Sequence, residues 1–145
     1  MKELKTEIIL NAPKEQIWKV LTDFPNYGSW NPFIVSIEGK PVLHSRLKNT
    51  LMSKGKPMVF KPVITRLEEN KVFEWLGSGF LGTFKGRHYF ILEKLGDGKT
   101  KLIHGEQFSG LLSGPILKMI GDDTLLNFQS MNKALKERVE QQLAV

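Results

Sequence analysis

The chain contains no cysteine. That excludes a disulfide scaffold, a cysteine-ligated zinc or iron–sulfur site and any thiol nucleophile. No apolar run approaches the length of a membrane span, and the opening Met1-Lys2-Glu3-Leu4-Lys5-Thr6-Glu7 carries charges where a secretory signal needs apolar residues. A cytoplasmic protein with no stable membrane insertion is the expectation. Histidine occurs only three times, and H-E-x-x-H, H-R-D, D-F-G and a completed G-x-S-x-G are all missing. Zincin, kinase and serine-hydrolase chemistry therefore have no motif to stand on. Internal repeats and low-complexity segments are missing too.

What is present is basic: 21 Lys and Arg against 15 Asp and Glu, a net charge of +6. The cations are scattered and often sit beside acids, as in Lys136-Glu137-Arg138, so they read as a solvated surface rather than a nucleic-acid footprint. At 145 residues the chain fits one domain, spanning residues 1–145, with a core of its own.

The longest periodic stretch is Ser113 to Leu143. On a 3.6-residue wheel Leu117, Gly121, Thr124, Leu125, Phe128, Met131, Asn132, Leu135, Val139 and Leu143 share one stripe, which predicts a long helix with one buried face. Ser113 is the expected N-cap, with Pro115 in the first turn. Phe128, Met131, Leu135 and Val139 are bulky, whereas Gly121 and Thr124 are small or polar. This contrast predicts packed core at one end and space at the other, or else a helix that kinks at Gly121.

Lys2–Leu10 reads as a strand. Asn11-Ala12-Pro13-Lys14-Glu15 opens a short helix that ends at Asp23-Phe24-Pro25, and Tyr27–Pro32 reads as a turn presenting two aromatics. The period then drops toward 2. Phe33–Glu38, Arg46–Ser53, Met58–Leu67, Val72–Gly77, Phe84–Lys94 and Lys101–Ser109 read as strands joined by turn signals at hairpin spacing. The expected class is α+β: a curved antiparallel sheet of about seven strands around the C-terminal helix, in the order β-α-α-β-β-β-β-β-β-α.

Gly77-Ser78-Gly79-Phe80-Leu81-Gly82 matches G-x-G-x-x-G, but a strand follows it instead of the helix that a pyrophosphate requires. It reads as a glycine-rich hairpin whose tip, Phe80 and Leu81, gates a cavity mouth. Strand parity says more. In Phe84–Leu92 and Leu102–Gly110 the even positions are the apolar ones, so His88, His104 and Glu106 face inward with Phe84, Phe90 and Phe108. Trp75 with Phe73, and Met58, Phe60 and Ile64, form the neighbouring apolar sets. If Gly96-Asp97-Gly98 is a three-residue loop, Phe90 lies opposite His104, His88 opposite Glu106 and Gly86 opposite Phe108. His88, His104 and Glu106 lack the spacing of a metal motif, and no metal or other cofactor is expected.

Taken together, Asn11-Ala12-Pro13, Ile17-Trp18, Leu21-Thr22-Asp23-Phe24, Tyr27-x-x-Trp30-Asn31-Pro32-Phe33, Glu74-Trp75, Gly86-x-His88-x-Phe90 and His104-x-Glu106-x-Phe108-x-Gly110 resemble the START-like superfamily. The chain is similar, more narrowly, to SRPBCC proteins of the polyketide cyclase/dehydrase type. The resemblance implies a helix-grip fold with an internal apolar cavity, used to carry lipids, hold small hydrophobic ligands or act on them. It carries no catalytic residue over to a numbered position. The expected partner is a hydrophobic small molecule or lipid, and no nucleic acid. Trp75, Phe84, Phe90, Phe108 and Phe128 are the expected walls, Gly121 the space, and His88, Glu106 and Thr124 the polar end. A second reading is a cyclase- or dehydratase-type enzyme in which His88 and Glu106 move a proton at a carbonyl-bearing substrate.

Overall fold

In the computed structural model, which describes residues 2–144 except the side chain of Phe80, the period change along the sequence becomes a change of layer. Strand β1 (Lys2–Leu10) leads into helix α1 (Lys14–Thr22) and a 3₁₀ turn, Phe24–Ser29. Strands β2 (Ile34–Glu38), β3 (Lys48–Ser53), β4 (Lys56–Phe60), β5 (Val63–Glu68) and β6 (Val72–Gly79) follow. After a second 3₁₀ turn, Phe80–Gly82, come β7 (Phe84–Gly96), β8 (Lys99–Ser109) and helix α2 (Ser113–Leu143). The α+β class and the order of elements agree with the sequence reading.

Among the described residues the strand count is eight, in two antiparallel sheets ordered β1-β8-β7-β6-β5 and β2-β3-β4. The extra strand comes from the stretch Met58–Leu67, which breaks at Lys61-Pro62 into β4 and β5. Proline has no amide proton to continue a ladder. The Pro62 carbonyl instead accepts the Leu47 N–H at 2.8 Å, and Ile64 N–H donates to the Ser45 carbonyl at 3.0 Å. The expected strand Arg46–Ser53 accordingly starts at Lys48, and Arg46 keeps only an isolated bridge to Val63. Lys54 and Gly55 both take positive φ, 52° and 76°, the geometry that closes a two-residue hairpin between β3 and β4.

The β7–β8 register matches the count made from the loop: His88 pairs with Glu106, Phe90 with His104 and Gly86 with Phe108. The turn itself is shorter than expected. Gly96 pairs with Lys99, Asp97-Gly98 forms the tip, and the register shift between Lys94 and Gly96 absorbs Leu95, so the register beyond is preserved. Strand β1 adds to the other edge of β8 from Lys2 opposite Phe108 to Leu10 opposite Thr100.

Helix α2 runs unbroken for 31 residues. Leu112, not Ser113, holds the cap position; the Ser113 hydroxyl donates to the Gly110 carbonyl at 2.8 Å. Phe128, Met131, Leu135 and Val139 are completely buried. Burying four side chains of this kind stabilises the fold by roughly 6–12 kcal/mol before entropy is counted. They pack on β1, β8 and α1, beside Ile17, Leu21 and Phe73. From Ser113 to Asn127 no residue is buried, and Leu143 at the far end is exposed.

Candidate functional site

A cavity of about 150 Å³ lies where the first half of α2 leans over the sheets. The five-stranded sheet supplies Trp75, Gly77, Phe84, His88, Glu106 and Phe108, all inward-facing positions of β6, β7 and β8. The three-stranded sheet supplies Asn49, Leu51 and Ser53, alternate residues of β3 and so one face, with Met58 and Phe60 across the hairpin. Phe33 closes the floor, and Ile120 and Thr124 form the helix side. Met58 and Phe60 are 46% and 38% exposed, which leaves two apolar side chains at an open edge of the cavity.

Of the residues expected to line a cavity, Trp75, Phe84, His88, Glu106, Phe108 and Thr124 do so. Phe90 and Phe128 instead sit in the packed core beneath it, 1% and 0% exposed, with Phe128 stacked on His104 at 4.4 Å between ring centroids. Gly121 lies beside the cavity rather than on its wall; a Cβ added there meets nothing within 4 Å. Leu81 is fully exposed at a positive φ of 57°, in the loop that joins two wall residues, Gly77 and Phe84. The expected gate residue Phe80 has its side chain outside the described residues. The glycine-rich loop runs directly into β7, so no helix N-terminus is available there for a phosphate.

The polar groups beneath the cavity form a single chain. The Thr6 hydroxyl donates to the His104 carbonyl at 2.7 Å, so its oxygen is free to accept from Asn132 Nδ2 at 2.8 Å. Asn132 thereby turns its carbonyl oxygen toward His104 Nδ1, 2.7 Å away, and that nitrogen must carry the proton. Burial, reinforced by the neighbouring His88, holds the His104 pKa well below the ordinary histidine value, against the opposing hydrogen bond to Asn132. A neutral His104 protonated on Nδ1 leaves a lone pair on Nε2. His88 Nε2, 2.8 Å from it, is then the donor.

His88 Nδ1 remains, and Glu106 Oε1 lies 3.4 Å from it. The contact sets a carboxylate beside an imidazole nitrogen on the cavity wall. Gly86 makes this arrangement possible. A Cβ at that position falls 2.0 Å from Glu106 Oε2, in the space the carboxylate occupies. Among the described residues no group of three or more His, Asp or Glu side chains is placed to hold a metal ion. His88 and His104 use their facing nitrogens on each other.

Asn132, Thr6 and Asn49 are not among the site residues expected from the sequence. Asn132 stands on the buried stripe of α2 and a single Asn among bulky apolar neighbours is the available signal, since a buried amide demands partners.

Residues 1–140 match the family described as polyketide cyclase/dehydrase and lipid transport. The chain belongs to that family. Solved structures of this shape include a START superfamily protein from Mycobacterium smegmatis, with a TM-score of 0.74 and 24% identity over 97% of this chain and 98% of that one. The Zhui aromatase/cyclase from Streptomyces sp. R1128 superposes with a TM-score of 0.82 at 13% identity, covering 98% and 95% of the two chains. The di-domain ARO/CYC BexL gives 0.75 at 14% identity, covering 97% of this chain and 47% of that one. At such identities the likeness establishes the START-like helix-grip fold of this family member and nothing finer. No curated protein matches it in sequence. No described helix is long and apolar enough to cross a membrane.

Proposed function

We propose that the chain acts as a single domain that binds a hydrophobic small molecule or lipid in the cavity between the two sheets and the first half of α2, and that it does so in the cytoplasm. The observation that carries this reading is the division of α2. One half seals the core completely, while the other leaves an apolar space lined by Trp75, Phe84, Phe108 and Leu51, the composition of a small-molecule site. In this reading His88, Glu106 and Thr124 orient the ligand's polar end, and the loop carrying Phe80 and Leu81 gates its entry. Nucleic acid is not a partner in this reading. The experiment is titration with an apolar fluorescent probe of wild-type protein and of Thr124→Leu, which fills the cavity without adding a polar group. The variant is expected to stay folded and to lose most of the probe signal. Unchanged affinity in a folded Thr124→Leu protein would count against the pocket.

A second reading is supported by one specific observation: His88 and Glu106 both line the cavity, with Glu106 Oε1 3.4 Å from His88 Nδ1. Such a pair can take a proton from carbon next to a carbonyl and return it elsewhere, the work of a cyclase or dehydratase. Hydrogen–deuterium exchange at the α-carbon of a cyclic aryl ketone such as 2-tetralone tests this. An enzyme accelerates the exchange, and Glu106→Gln abolishes the acceleration. Exchange at the buffer rate leaves binding alone.

A further inference from the structure

The polar atoms on the cavity wall differ in what they still need. Asn49 is 2% exposed, and among the described residues no group donates to its side-chain oxygen. An amide oxygen buried without a donor is costly, and the cost is removed when something that enters the cavity supplies one. Glu106 adds more acceptor capacity, because only Oε1 faces His88, at 3.4 Å, and Oε2 lies in the space over Gly86. Neutral donors also line the cavity, the Thr124 hydroxyl and the Asn49 amide nitrogen, but cationic ones do not. Among the described residues no Lys or Arg lines the cavity, both His88 nitrogens face His104 and Glu106, and the Ser53 hydroxyl is directed at Asp123 Oδ2, 3.4 Å away. An anionic head group would find no free cation there and would sit beside a carboxylate. Size narrows the choice further, since an apolar cavity of about 150 Å³ holds a molecule the size of benzene, and the open edge at Met58 and Phe60 leaves room for a second ring to project outward.

We infer that the ligand is a compact, uncharged molecule of one or two rings bearing a hydroxyl, which donates to Asn49 Oδ1, and that the site turns away carboxylates and phosphates. This inference rests on the binding function proposed above and deepens it. The test is a matched series in NMR titrations of the full chain: 2-naphthol, 2-methylnaphthalene, 2-methoxynaphthalene and 2-naphthoate. The hydroxyl compound is expected to bind about tenfold more tightly than its methyl and methoxy counterparts, the difference expected from satisfying one buried acceptor. Naphthoate is expected to be the weakest of the four. In Asn49→Leu the preference for hydroxyl over methoxy disappears while methylnaphthalene binding is retained. The series in the wild-type protein stands on its own if that variant fails to fold. Equal affinity of naphthol and methoxynaphthalene, or naphthoate binding as tightly as naphthol, overturns the inference and leaves the apolar pocket standing. No binding by any of the four removes the pocket and this inference with it.

Discussion

The two halves of α2 share one helix and one sequence period yet do opposite jobs. From Phe128 to Val139 the inward residues are fully buried against β1, β8 and α1. From Ser113 to Asn127 none is buried, and Ile120 and Thr124 face a cavity. The stripe does not end at Asn127; its side chains become smaller and the sheet beneath it changes. Under the second half the five-stranded sheet is filled by Phe73, Phe90 and Leu102, whereas under the first half that sheet and the β3–β4 hairpin together border the cavity, with Met58 and Phe60 partly exposed. A protein that must keep an empty space needs stability from elsewhere, and the packed half supplies it.

The largest expected effect breaks the packed half. Phe128→Ala is expected to cost about 3–5 kcal/mol in urea unfolding, because the ring is completely buried among Phe33, His88 and His104. Ile120→Ala, on the cavity side of the same helix, is expected to cost less than about 1 kcal/mol because its neighbours already border space. Similar losses at both positions would erase the distinction between the halves.

The next effect is set by pH and belongs to the junction of the halves. His104 is held neutral in the folded state, its pKa well below the ordinary 6.5, by burial first and by His88 second. The unfolded chain therefore binds a proton that the native chain refuses once the pH drops below about 6.5. Its contribution to stability is complete above that pH and is lost as the pH falls toward the folded value, at up to about 1.4 kcal/mol per unit. Urea midpoints at pH 7.5 and 5.5 should differ accordingly, and His104→Gln, which keeps an amide donor and acceptor in place, should flatten the difference. An equally steep pH dependence in that variant would assign the effect to other groups.

How much of this contrast is legible in the sequence depends on whether local or long-range geometry decides it. The span of α2 and the His88–Glu106 pairing follow from local rules, a 3.6-residue stripe and a short glycine turn, and both agree with the structure. The same parity places His104 on the inward face. It does not say that His88 will bond to His104 on the diagonal rather than only to the facing Glu106, since that depends on side-chain rotamers. The second sheet is hidden for a similar reason. Met58–Leu67 alternates like one strand, and only Pro62, by withholding an amide proton, marks where the chain leaves one sheet for the other. Asn49 therefore reads as one more strand residue until the hairpin brings it to the cavity.

A smaller effect tests the seat of the Glu106 carboxylate. Gly86→Ala places a methyl group where Glu106 Oε2 lies, and the carboxylate, the end of a flexible side chain, is expected to swing aside at a cost of about 1 kcal/mol or less. Stability barely moves, but Glu106 Oε1 leaves its place 3.4 Å from His88 Nδ1. The ¹⁵N resonances of the His88 ring should move from their wild-type positions, as they should in Glu106→Gln. An unchanged ring spectrum in Gly86→Ala would mean that the Glu106 carboxylate does not face His88 Nδ1.

The smallest expected effect lies farthest from the packed half, at Leu81. Its side chain is fully exposed and its backbone is left-handed, so Leu81→Ser removes no buried contact and is expected to leave the unfolding free energy within about 0.5 kcal/mol. What it should alter is kinetics. The loop joins Gly77 to Phe84, both on the cavity wall, and a segment that gates entry changes the barrier to binding without changing the bound state. Stopped-flow measurements with an apolar probe should then show on- and off-rates moving by the same factor at constant affinity. A change confined to the off-rate would make Leu81 a contact of the bound ligand rather than part of a gate. No change in either rate would place the entrance elsewhere, at the exposed edge between Met58 and Phe60.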